Sequence, residues 1–210
     1  DAGTCSWGNV GMQDFGNEPR LVFNNKPSYS NAVITENYYN TLYSVLSQSN
    51  DVLSQTINNG VEMDDGSTPL VNAVAYFTQG LSLGYLGLLY DKGFIITHET
   101  DLTQEIESSS YSDMVAAALA SLDKCIEISN SSSFTVPSSW LPGEPWTSAE
   151  FAELASSYAA RLMVFSARNK DEDNATDWNK VYNYAKNGIQ KDFAPLADDI
   201  QWYSLYQTYS

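Results

Sequence analysis

Ala75-Tyr76-Phe77-Thr78-Gln79-Gly80-Leu81-Ser82-Leu83-Gly84-Tyr85-Leu86-Gly87-Leu88-Leu89-Tyr90-Asp91 decides how this chain folds. Val74, Phe77, Leu81, Tyr85 and Leu88 keep helical spacing, so the stretch reads as a helix that stops at the Asp91-Lys92 charge pair. Gly80, Gly84 and Gly87 fall on one side of it. Each glycine costs a helix about 1 kcal/mol relative to alanine, and three together imply that another helix comes very close. Thr78, Gln79 and Ser82 interrupt the apolar run, so a tightly packed helix is expected here rather than a membrane span.

Other amphipathic helices lie on either side. One is expected over 31–59, with Tyr38, Leu42, Val45, Leu46, Ser49, Val52, Leu53 and Ile57 as its stripe and Gly60 as its stop. Thr68-Pro69 opens the glycine helix. A helix from 111 to about 129 follows, with Ser110 and Asp113 as a capping box and Met114, Val115, Ala118, Leu119, Leu122, Cys125 and Ile126 inward. A second box, Thr147 to Glu150, starts a helix whose stripe is Phe151, Leu154, Ala155, Tyr158, Ala159, Leu162 and Met163. A polar turn over 169–177 precedes a fifth helix, with Trp178, Val181, Tyr182, Ala185 and Ile189 predicted to face inward. Glycines and prolines mark 1–30 as irregular loop, and 91–110 is irregular with a short extended piece at Phe94-Ile95-Ile96. The expected fold is all-α: degenerate tetratricopeptide-like helix pairs, an α-α superhelix with long irregular loops, in one helical domain over 1–210.

The formal net charge of −16 argues against nucleic acid or anionic lipid as a partner. Only 17% of residues are charged, while Tyr 14 and Trp 5 add aromatic surface. That composition suits neutral polar ligands, of which sugars are the obvious class. Asp1 is preceded by no methionine, basic segment or apolar segment, so the expectation is a removed leader or a piece of a longer product. Ala2-Gly3-Thr4-Cys5 is read as a coincidental likeness to a lipoprotein cleavage box, and Cys125 as a buried free thiol.

The ordered series of helices resembles the N-terminal half of the SusD/RagB family of outer-membrane nutrient-binding lipoproteins. The resemblance runs over about 14–199. It is carried by Tyr-Ser-Val-Leu-Ser-Gln-Ser-Asn-Asp-Val-Leu at 43–53 with its Asn-x-x-Leu ending, and by the glycine helix at 75–91. Tyr-Ser-Asp-Met-Val-Ala-Ala-Ala-Leu-Ala-Ser-Leu-Asp-Lys-Cys-Ile-Glu-Ile at 111–128, the Ala-rich helix at 151–165 and Trp-x-x-x-x-x-Tyr-Ala-Lys from Trp178 continue it. Family members are typically more than twice this length, so this chain would be the N-terminal part of a longer protein. The resemblance implies a non-enzymatic, cell-surface protein of a Bacteroidetes-type outer membrane, lipid-anchored through an N-terminus outside these residues. Such a protein binds oligosaccharide or polysaccharide and passes it to a TonB-dependent (SusC-like) transporter.

Sugar recognition needs flat aromatic faces together with polar groups that reach hydroxyls. Trp140 and Trp146, in a proline-bearing loop, and Trp7, in the Gly-rich N-terminal loop, are the candidate ligand-binding residues. Catalysis has little to work with. His98 is the lone histidine and reads as a loop residue bonded to a neighbour. Glu62/Asp64 and Asp198/Asp199 are the carboxylate pairs a glycosidase reading would use, though none lies in a distinctive motif. Asp171-Glu172-Asp173-Asn174 lacks the glycine and closing glutamate of an EF-hand. No enzyme activity, metal or cofactor is expected. The alternatives are a helical-repeat module that binds a protein and, further off, a helical glycoside hydrolase.

Overall fold

A computed structural model describes residues 32–141 and 143–194, together with Lys26, Ser28 and Tyr29. The single helical domain read over 1–210 divides by its contacts into two compact units, Asp1–Ser44 and Val45–Ser210. Trp7, Cys5 and nearly all of the expected 1–30 loop lie outside the described residues.

Helix α1 (Val33–Leu53) closes in a π-helical turn over Ser54–Asn58, and Gly60 at φ 66° ends it. Within the first unit, the Tyr39 and Tyr43 rings on α1 lie 4.6 Å apart. In the second unit the buried face of the helix is Leu46, Ser49, Asn50, Leu53 and, in the π turn, Thr56. Tyr38, Val45 and Ile57 are exposed, which corrects the expected stripe. Polar side chains occupy core positions here because each has a partner. Gln79 Nε2 donates to Asn50 Oδ1 at 2.7 Å, Asn50 Nδ2 donates to the Ile96 carbonyl at 2.9 Å, and Ser49 bonds Thr78 at 2.8 Å.

Helix α2 (Thr68–Leu89) takes Ser67 as its cap residue and Pro69 in its first turn. Its most buried positions include Ala73, Phe77, Leu83 and Leu86, whereas Val74, Leu81, Tyr85 and Leu88 are only half-buried. The expected single stripe is therefore too narrow, because neighbours cover α2 on several sides.

The glycines show why. A Cβ at Gly80 would stand 2.8 Å from Leu122 Cγ, and one at Gly87 would stand 2.9 Å from the Tyr111 carbonyl. Both contacts are with α3 (Tyr111–Ser131), and their order makes the α2/α3 pair antiparallel. At Gly84 the obstacle is Leu162, 2.5 Å away on α4 (Ser148–Ser166). Strand β1 (Lys92–Gly93) pairs antiparallel with β2 (Ser109–Ser110), so the expected extended piece falls just before Phe94-Ile95-Ile96.

Ser110 accepts the Asp113 N–H at the start of α3. Thr147 and Glu150 form the complete capping box of α4. Short strands β3 (Thr135–Val136) and β4 (Trp146–Thr147) pair just ahead of it. The polar turn over 169–177 contains α5 (Lys170–Ala175), capped by Asn169, which accepts the Asp171 and Glu172 N–H groups.

Helix α6 (Trp178–Lys186) packs on α4, and Val181 is its one buried residue. Trp178 is 50% and Tyr182 63% exposed, and Ala185 is exposed too. This corrects the inward stripe. With α4 as its main neighbour, a nine-residue helix covers only a narrow line of its surface. The described residues are mostly helical, and none of their helices is long and apolar enough to cross a membrane.

Candidate functional site

The β3–β4 hairpin carries the two described tryptophan candidates, Trp140 in its connection and Trp146 at the start of β4. Trp140 is 49% exposed on a turn in which the Pro137 carbonyl accepts the N–H groups of Trp140 (2.9 Å) and Leu141 (3.1 Å). Proline fixes its own φ there, so the indole stands on a stiffened turn.

Trp146 does not share that exposure. It is 3% exposed, paired through its backbone to Val136 on β3, and its ring meets Phe193 edge-on at 5.5 Å. Lys191 Nζ lies 4.3 Å from the Trp146 ring centroid and pairs with Glu150 at 2.9 Å. The expectation of Trp146 as an exposed aromatic plane is corrected: the hairpin turns it inward, where it anchors 191–193 to the start of α4. No ring contact joins Trp140 to Trp146 among the described residues. Gly143, Glu144, Trp146, Lys191 and Phe193 do line a cavity of about 310 Å³.

Segment 188–194 returns along α4 and is pinned to it at three levels. Ile189 N–H donates to Ser157 Oγ (2.9 Å), Gln190 N–H to Glu153 Oε2 (3.3 Å), and Lys191 Nζ reaches Glu150. Lys191 acts first, and the Thr147 N–H and hydroxyl add to it, so the Glu150 carboxyl is held down at about 2.

Tyr184 was not among the sequence candidates. Its hydroxyl donates to Asp123 Oδ1 at 2.5 Å, joining α6 to α3 across α4. Burial first and then the Asp123 carboxylate raise the Tyr184 pKa well above that of a free phenol. The signal lay in the Trp-x-x-x-x-x-Tyr-Ala-Lys run, where Tyr184 alternates with the exposed Trp178 and Tyr182.

The other chemical candidates have structural partners. His98 Nε2 lies 3.5 Å from the Tyr76 hydroxyl, the two rings meet edge-on at 5.6 Å, and the His98 carbonyl accepts from Asn58 Nδ2. Its Nδ1 is buried with no hydrogen-bond partner among the described residues. Glu62 and Asp64 are exposed, and Asp198/Asp199 lie outside the described residues. Glu172 accepts from the Tyr111 hydroxyl, Asn169 Nδ2 and the Arg168 N–H, so it serves as a clamp between helices. Among the described residues no three metal-ligating side chains stand together. Cys125 is a buried free thiol, its pKa pushed up to about 12 by burial.

No family model matches the chain, and comparison with curated proteins and with solved structures found no match.

Proposed function

We propose that this chain is the helical part of a SusD/RagB-type surface protein. In this reading it binds neutral oligosaccharide or polysaccharide without catalysis and delivers it to a TonB-dependent outer-membrane transporter. The observation that carries the reading is Trp140, half-exposed on its proline-stiffened turn. It lies in the same connection as Gly143 and Glu144, which with Trp146 of β4 line the 310 Å³ cavity. An indole face can cover the C–H face of a pyranose, with polar groups nearby for its hydroxyls. The antiparallel pairing of α2 with α3 supports reading the scaffold as degenerate tetratricopeptide-like pairs. The outer-membrane, lipid-anchored setting belongs to the same proposal and rests on the resemblance.

A second reading has its own observation. Trp178, Tyr182 and Phe165 are all at least half exposed, as a helical module that binds a protein partner would present them.

Affinity electrophoresis of the 210-residue chain through gels of neutral polysaccharides (amylopectin, dextran, xylan, galactomannan) separates the two. Retardation by one glycan, weakened by Trp140→Ala with helical circular dichroism intact, is the expected result. A folded chain that no glycan retards would sink the sugar reading and leave the protein-partner reading standing.

A further inference from the structure

We infer that the cleft between α3, α4 and α6 is a second binding site, taking a neutral polyhydroxylated ligand of the saccharide class. This rests on the glycan reading above but uses none of the tryptophan candidates.

The cleft follows from three helix faces. On α4, Ala149, Ala152, Glu153 and Ser156 share one face, and the small Ala149, Ala152 and Ser156 keep the floor low. Asp123, Ile126 and Asn130 of α3 form one wall. Asn183 and Tyr184 of α6, with Asn187 just beyond it, form the other. The bond from Tyr184 to Asp123 ties the walls together, and Lys180 Nζ lies 4.0 Å from Asp123 Oδ2. The volume is about 810 Å³, within the range of roughly 300–1,000 Å³ common for small-ligand sites.

Its polar groups select the ligand. The side chains of Asn130, Asn183 and Asn187 make no hydrogen bond among the described residues. Each carboxamide therefore offers two donors and an acceptor. A hydroxyl both donates and accepts, so a ring of hydroxyls matches such groups better than an acceptor-only anion or a donor-only cation.

Charge points the same way. Asp123 and Glu153 are balanced by Lys180 and Lys186 in this cleft, although the whole chain carries −16. An ionic ligand would upset that balance. Ala149 and Ala152 of the floor, with Ile126 of the α3 wall, give a pyranose C–H face an apolar bed.

The test uses the full 210-residue chain in the same gels, with three variants beside it. Asn183→Ala/Asn187→Ala removes two carboxamides at exposed positions, the first on α6, where alanine favours helix, and the second just beyond it. Ala149→Leu fills the floor and leaves every polar group in place, and Trp140→Ala reports on the tryptophan loop. Both cleft variants should bind the retarding glycan about tenfold more weakly, the asparagine pair by losing one or two ligand hydrogen bonds and Ala149→Leu by filling the space a sugar ring would take. They should do so with unchanged circular dichroism.

Cleft variants that bind like the parent, while Trp140→Ala loses retardation, would overturn the cleft site and keep the glycan reading. Absence of retardation in the folded parent would overturn both. Displacement by a free Gly-Ser peptide, but not by the matching oligosaccharide, would assign the cleft to polypeptide and overturn its saccharide class.

Discussion

The guanidinium of Arg168 lies 3.8 Å from the centroid of the Tyr111 ring, so the residue just beyond α4 stacks on the first residue of α3. The same side chain caps α2: its Nη2 donates to the carbonyls of Gly87 and Tyr90, each at 2.9 Å. Three helix ends thus meet on one planar cation. Arg168 also pairs with Asp91, whose side chain is 91% exposed, so that pair adds little in water.

Removing this clamp with Arg168→Ala should cost about 2–3 kcal/mol, from the lost stacking and charge-assisted hydrogen bonds. Arg168→Lys should recover less than half of that, because an ammonium can neither stack flat nor reach two carbonyls through a fork. Urea unfolding midpoints at constant slope measure both. Full recovery by lysine would mean that charge alone matters at this junction.

Gly84 and Leu162 are a size-matched pair. Alanine at Gly84 gains about 1 kcal/mol in helix propensity, but its Cβ would sit 2.5 Å from Leu162 Cδ1 in a fully buried setting. Overpacking of this kind costs about 1–3 kcal/mol, so Gly84→Ala should be net destabilising. In a Leu162→Ala background the obstacle is gone, and the same glycine change should become neutral or stabilising. A double-mutant cycle by chemical denaturation reads the coupling. Strict additivity would show that the two helices do not depend on this contact.

Those glycines were legible in the sequence because three helix-weakening residues on one side have few explanations other than close approach. The Thr147/Glu150 box was legible because its chemistry is local. What escaped depends on partners that sequence spacing does not reveal. Asn50, Gln79 and Ser121 are buried because they bond one another, so an apolar stripe misses them. Trp178, Tyr182 and Ala185 do keep helical spacing, yet α6 packs chiefly on α4 and its contact line runs through Val181. Of the site, the exposure of Trp140 was legible from its prolines. The burial of Trp146 was not, because it follows from pairing with Val136 ten residues earlier. The carboxamide cleft brings together three faces that lie far apart in sequence.

Gln79, 1% exposed, links α1 to α3 through α2: its Nε2 donates to Asn50 Oδ1 and its Oε1 accepts from Ser121 Oγ, both at 2.7 Å. Gln79→Leu keeps similar bulk but strands the Asn50 oxygen, while Ser121 retains the Ala117 carbonyl. An unsatisfied buried group costs about 1–3 kcal/mol, so a loss of about 2 kcal/mol is expected. Amide exchange should also quicken near Ile96, whose carbonyl Asn50 holds. A neutral effect on both readouts would mean that the core tolerates the broken relay.

Glu150 couples the fold to acid. Lys191 first, then the Thr147 N–H and hydroxyl, hold its carboxyl at about 2 against an ordinary 4.5. Because the folded value lies below the unfolded one, the contribution is complete above about pH 4.5 and is lost as the pH falls through about 2. Glu150→Gln keeps the shape but cannot ionise. The parent should therefore be more stable than this variant above pH 4.5, and the gap should close steadily toward pH 2. Adding salt should narrow it as well, since both partners of the Lys191 pair are about one-third exposed. Urea midpoints taken across that pH range for both proteins make the comparison. Parallel curves would mean that the Lys191–Glu150 contact contributes nothing that depends on charge.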